Sequence, residues 1–175
     1  MISQFLKPSL KGAFKRTDKS QKYVAVDTKT PNATLSDHVN GKQPVNINKA
    51  IEYARSLQDS KFYTEVASKF VGTPPTMDDV KYKLDVRSLE TLSRKEEKER
   101  KQAFEDIELI LAIKESEWTK EERDKVLAVA LELIDELVVK SSMLNSLLDF
   151  QGLTIVEGVE MRQSYLIQQK YIRKG

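Results

Sequence analysis

The chain has 175 residues, of which 32% are charged and 39% hydrophobic, and a formal net charge of +2. That length accommodates one domain with a self-sufficient core, and so small a net charge does not imply a polyanion partner for the molecule as a whole. There is no cysteine, which removes disulfides, thiolate catalysis and cysteine-based metal sites.

The charge is uneven along the chain. Residues 1–30 carry Lys7, Lys11, Lys15, Arg16, Lys19, Lys22 and Lys29 against Asp18 and Asp27, whereas the stretch from Glu105 to Glu122 is acidic and the tail is basic again at Lys170, Arg173 and Lys174. Lysines spread through Met1–Phe14 break up the compact apolar run a secretory signal needs. No window approaches the ~18 apolar residues of a membrane span. The expected location is the cytoplasm, or a virion assembled there.

In chain order, Ile2, Phe5, Leu6, Leu10, Ala13 and Phe14 fall near helical spacing, with the basic residues between them. Pro8 and Gly12 limit any helix there to a short one. Tyr23–Val26 is β-prone and is the best candidate for a short β element near 22–28. Pro31, Asn32, Asn40, Gly41 and Pro44 punctuate the next stretch, which reads as a loop. Residues 1–45 are thus expected to form an extended basic arm, and residues 46–175 a helical domain.

Within that domain a helix should open near Asn46 or Asn48 with Ile47, Ile51, Ala54 and Leu57 on one face. A second should open near Ser60, use Phe62, Val66 and Phe70, and stop at Gly72 ahead of Pro74 and Pro75. Thr76 and Asp79 make a weaker capping pair for a helix carrying Val80, Leu84, Leu89 and Leu92. From Ser93 to Gln102 there is no apolar residue. The pairs Lys95–Glu99, Glu96–Arg100 and Glu97–Lys101 support a helix by about 0.2–0.5 kcal/mol each, so this stretch is expected to be an exposed helix or a hinge. Apolar spacing returns at Ala103, Phe104, Ile107, Ile110 and Leu111. A turn at Lys114–Trp118, with Trp118 packed into its end, then closes a long hairpin spanning about 76–148.

The second arm of that hairpin is the most informative stretch. Thr119 and Glu122 have the spacing of a capping box. Beyond them Asp124, Lys125, Glu132, Asp135 and Glu136 form one narrow polar stripe, expected to face water. The rest of Val126–Val139 is apolar, including Leu127, Leu131, Ile134 and Val138. A surface helix is apolar over a stripe, not over most of its circumference, so this one requires neighbours on two sides, from its own chain or another. Gly152 suits a helix stop, Thr154 and Glu157 form a further capping box, and a last helix should run over about 155–173 with its basic residues at the favourable end. Gly158 sits inside it at a cost of about 1 kcal/mol against alanine.

Motifs that carry chemistry are absent. His38 is the single histidine, in what reads as a loop beside Asp37, with no cysteine and no assignable serine nucleophile. One imidazole cannot make a zinc site. The acidic groups Asp78–Asp79 with Asp85, Glu105–Asp106–Glu108 and Glu132–Asp135–Glu136 lack the Glu-x-x-His pattern of di-iron bundles. Neither a phosphate-binding P-loop nor a dinucleotide glycine motif occurs. The fold is therefore expected to be mainly α, a helical hairpin or bundle with an irregular basic arm, and the protein non-enzymatic, with no catalytic residue, cofactor or metal. The expected role is protein–protein interaction or assembly, as an adaptor, chaperone or structural subunit that binds a protein partner or itself. The expected contacts are Phe5, Leu6, Leu10, Phe14, Lys7, Lys11, Lys15 and Arg16 in the arm, and Leu127, Leu131, Ile134 and Val138 in the apolar helix. Small, helical, cysteine-free chains with clinging arms resemble accessory or assembly proteins of bacteriophages. The alternative is nucleic-acid binding through the basic arm and tail, where lysines clamp phosphates and aromatics stack bases.

Overall fold

The computed structural model describes residues 3–78 and 80–174; Ile2 of the expected arm and Asp79 of the expected capping pair lie outside the described residues. Among the described residues the chain is mainly helical, with one two-stranded sheet. Two compact units divide it: Met1–Pro75 with Leu147–Gly175, and Thr76–Ser146.

In the first unit, β1 (Ser3–Gln4) pairs antiparallel with β2 (Val45–Asn46), with Ser3 opposite Asn46 and Gln4 opposite Val45. Between them lie α1 (Lys7–Arg16), α2 (Gln21–Asp27) and α3 (Asn32–Asn40), and after them α4 (Ile47–Leu57) and α5 (Ser60–Val71). Side-chain caps open three of these helices. Ser20 accepts from the Tyr23 N–H, Asn46 from that of Lys49 and Asp59 from that of Phe62, each filling an orphan donor of a first turn. Gly41 (φ 70°) and Gly72 (φ 85°) close α3 and α5 in the left-handed region that glycine enters without strain. The core is continuous through all five helices: Leu6, Leu10 and Ala13 of the α1 segment, Val24, Leu35, Val39 and Val45, then Ala50, Tyr53, Leu57, Phe62 and Val66.

This core corrects the expectation for residues 1–45. They are not an extended arm: α1 packs against α3 and α5, and Leu6 and Leu10 are 0% exposed. Nor is there a strand near 22–28. Val24 and Ala25, adjacent in sequence, are both buried, which a helix turned partly into a core allows and the alternation of a half-buried strand does not. The Pro and Gly residues that punctuate this region mark helix ends instead of a loop, with Pro8 in the first turn of α1, Pro31 at the start of α3 and Gly41 at its end. The helices expected near Asn46 and Ser60 are present as α4 and α5.

The second unit contains α6 (Val86–Glu105), the single turn α7 (Glu108–Leu111), a short 3₁₀ turn at Glu115–Glu117, and most of α8 (Lys120–Asp149). Helix α6 starts at an Asp85 cap, later than a Thr76–Asp79 pairing implies, and Val80 is exposed. Contacts run in opposite order along the two long arms, Leu84 with Ser146 and Arg100 with Glu136, so they form the expected antiparallel hairpin. Trp118 closes it by donating from Nε1 to the Ile113 carbonyl at 3.1 Å. Back in the first unit, α9 (Ile155–Gln168) opens on a complete Thr154–Glu157 capping box and ends earlier than expected.

Candidate self-association surface

Helix α8 begins as its sequence dictates. The Thr119 N–H donates to Glu122 Oε2 at 2.7 Å, and the Glu122 N–H donates back to Thr119 Oγ1 at 3.3 Å. Beyond this cap the helix reverses the usual distribution of polarity. The buried residues of α8 are Glu136, Val139, Ser142 and Asn145, one aliphatic among four. Leu127, Leu131, Leu133, Ile134, Leu137 and Leu144 are all exposed, by 42–56%.

Ionic and hydrogen-bonded contacts hold the inward face. Arg100 Nε donates to Glu136 Oε2 at 2.7 Å, and Lys140 Nζ meets Glu136 Oε1 at 2.5 Å. Lys140, then Arg100, hold the Glu136 carboxyl below the ordinary 4.5. Ser142 Oγ accepts from the Met77 N–H and donates to the Val138 carbonyl. The polar stripe expected to face water thus includes a Glu136 that is 3% exposed. The charged run 93–102 has corresponding contacts. Ser93 is buried, and Arg100 reaches across to α8 instead of pairing with Glu96. A buried carboxylate requires charge partners. Arg100 of α6 and Lys140 of α8 itself supply them, and Glu136 is the member of the expected stripe that turns inward, while Asp124, Lys125 and Asp135 stay exposed and Glu132 is half-buried.

The outward residues are ordered along the helix. Leu127, Leu131 and Ile134, all exposed, succeed one another at intervals of four and three, and the half-buried Val138 continues the row four residues on, the repeat of a coiled-coil seam. Leu133, Leu137 and Leu144 widen that seam, and the hairpin tip adds Leu109, Leu111 and Ile113, all exposed.

The arm contacts are redistributed. Leu6 and Leu10 are core residues and Phe14 packs partly buried against that core. Arg16 is bound to Asp59 through Nε and Nη2, both at 2.8 Å. Phe5, Lys7, Lys11 and Lys15 remain exposed. The double role of Asp59, partner of Arg16 and cap of α5, is not legible in local spacing beyond its position just before Ser60. His38 lies within α3 and not in a loop, buried with Nδ1 2.8 Å from the Tyr53 hydroxyl, and burial pushes its pKa below 6.5.

Two other places carry polar clusters. Glu96, Glu99 and Glu132 bring carboxylate oxygens within 4.8 Å of one another, and Lys95 Nζ contacts Glu99 at 2.7 Å and Glu96 at 3.2 Å, supplying positive charge there. An open cleft of about 670 Å³ borders Arg16, Asp59, Asp149, Thr154 and Glu157, where capping and ion pairing engage Arg16, Asp59, Thr154 and Glu157. Among the described residues no helix is long and apolar enough to cross a membrane. No protein-family model, curated protein or solved structure matches the chain.

Proposed function

We propose that this chain is a non-enzymatic assembly protein that self-associates through the outward seam of α8, against the same seam of a second copy. The observation that carries the reading is the composition of the second unit's interior. Among the described residues it buries Leu89, Ile107, Ile110 and Val139, and as many polar ones, Ser93, Glu136, Ser142 and Asn145, while the leucines of α8 face outward. A unit of that kind gains stability by covering its apolar face.

The magnitudes favour a reversible contact. A half-exposed Leu or Ile leaves about 0.7–1.5 kcal/mol of burial unrealised. Six on each of two chains amount to about 8–18 kcal/mol, against association costs of about 4–15 kcal/mol. The surplus is a few kcal/mol. A seam of alternating spacing is also self-complementary about a two-fold axis, which favours a second copy over an unrelated partner.

Light scattering over about 1 µM to 1 mM, the range matching modest association energies, tests the proposal. The mass should rise from one chain towards two. Leu131→Lys with Ile134→Lys, both at exposed positions, should hold the chain at one while preserving its helical circular dichroism. A wild-type chain that stays monomeric throughout, or a variant that dimerises as well as wild type, overturns it.

A further inference from the structure

The seam on α8 leaves the basic face of α1 without a role. The structure narrows what that face can do. Because Leu6, Leu10 and Ala13 are in the core, the apolar side of α1 is withheld from a membrane and from a partner's groove alike. What it presents is Lys7, Lys11 and Lys15, one ridge at i, i+4 and i+8, exposed throughout, on a helix with no acidic residue. Successive lysines rise about 6 Å along the axis.

Several lysines elsewhere stand against carboxylates: Lys49 with Glu52, Lys95 with Glu99, Lys101 with Glu97, Lys125 with Glu121 and Lys140 with Glu136. Among the described residues none of the three ridge lysines has a carboxylate within ion-pair distance. The stem of Lys7 is held in place, its Cβ about 3.0 Å from where a side chain on Gly41 would begin. Two residues ahead of the ridge stands Phe5, with its ring more than half exposed. A row of cations without carboxylate partners, with an exposed aromatic two residues away in the chain, matches the requirements of a flexible phosphate backbone whose bases are free to stack.

We infer that the α1 ridge is a binding site for single-stranded nucleic acid, with Lys7, Lys11 and Lys15 on consecutive phosphates and Phe5 under a base. An acidic protein surface would find the cations but would make no use of the ring. An anionic membrane would need an apolar face that this helix keeps in the core.

The test is fluorescence anisotropy with a labelled 20-nucleotide oligothymidylate, alongside binding to phosphatidylserine vesicles. Three neutralised phosphates give a slope of log affinity against log salt of about −2 on a single strand, so affinity should fall roughly 20-fold between 50 and 200 mM salt. Lys7→Gln, Lys11→Gln and Lys15→Gln together should flatten that slope while leaving the melting temperature unchanged. Phe5→Ala should weaken binding with the slope retained. No oligonucleotide binding at 50 mM salt, a slope insensitive to the three lysines, or vesicle binding without oligonucleotide binding would each overturn the inference.

Discussion

Asp59 joins two helices through one carboxylate. It accepts from the Phe62 N–H at the start of α5 and from Arg16 at the end of α1. Asp59→Ala removes a cap worth about 1 kcal/mol and leaves the guanidinium unpaired, so urea denaturation should show a loss of about 2 kcal/mol. Asp59→Asn keeps a capping oxygen and should lose about half as much. His38 sets a pH response. Its folded pKa lies below the ordinary 6.5 because burial disfavours the imidazolium. The unfolded chain therefore takes up the proton first, and stability should decline as pH falls from about 6.5 towards the lower folded value. His38→Gln should remove that part of the pH–stability curve; an unchanged decline between pH 6.5 and 5 would place its origin elsewhere.

At the scale of elements, α1 is the clearest test of whether residues 1–45 belong to the core. Leu10→Ala should cost about 2–5 kcal/mol, as deletions in packed interiors do, and thermal melting would register it. A change of a few tenths would restore the picture of a loose arm. Helix α9 offers a second case. Gly158 looks unfavourable by propensity alone, yet a Cβ there would lie 3.0 and 3.1 Å from the two methyl carbons of Leu148. The close approach of the Leu148 segment offsets the propensity term, and Gly158→Ala should fall short of the ~1 kcal/mol gain that helix propensity alone implies. Chemical denaturation that recovers the full gain would show that Leu148 moves aside freely.

For the whole molecule, the two units differ in what supports them. The first holds the hydrophobic core, with Tyr53, Phe62 and five leucine or valine side chains completely buried. The second relies on Leu89, Ile107, Ile110 and Val139 together with ionic contacts. Amide hydrogen exchange tracks local stability. It should therefore be slowest in α4 and α5 and fast in α6 and α8 of the dilute chain. If α8 is covered by a second copy, its protection should rise with protein concentration while that of α4 stays constant. Equal protection of α8 at all concentrations would argue against a covered seam.

Sequence alone determined the features that depend on residues a few positions apart: the capping boxes at Thr119 and Thr154, the stop at Gly72, and the excess of apolar residues in Val126–Val139. Each is a local hydrogen bond, a local backbone preference or a count. The tertiary structure decided which side of each helix faces inward. Lys7–Asn40 became helical core because its apolar residues meet Tyr53, Phe62 and their neighbours, contacts that its own spacing does not contain. Helix α8 turned Glu136 inward because α6, thirty-six residues earlier, presents Arg100 to it. Facing is set by what a neighbour offers, and pairing a buried charge on one side of α8 left its leucines on the other.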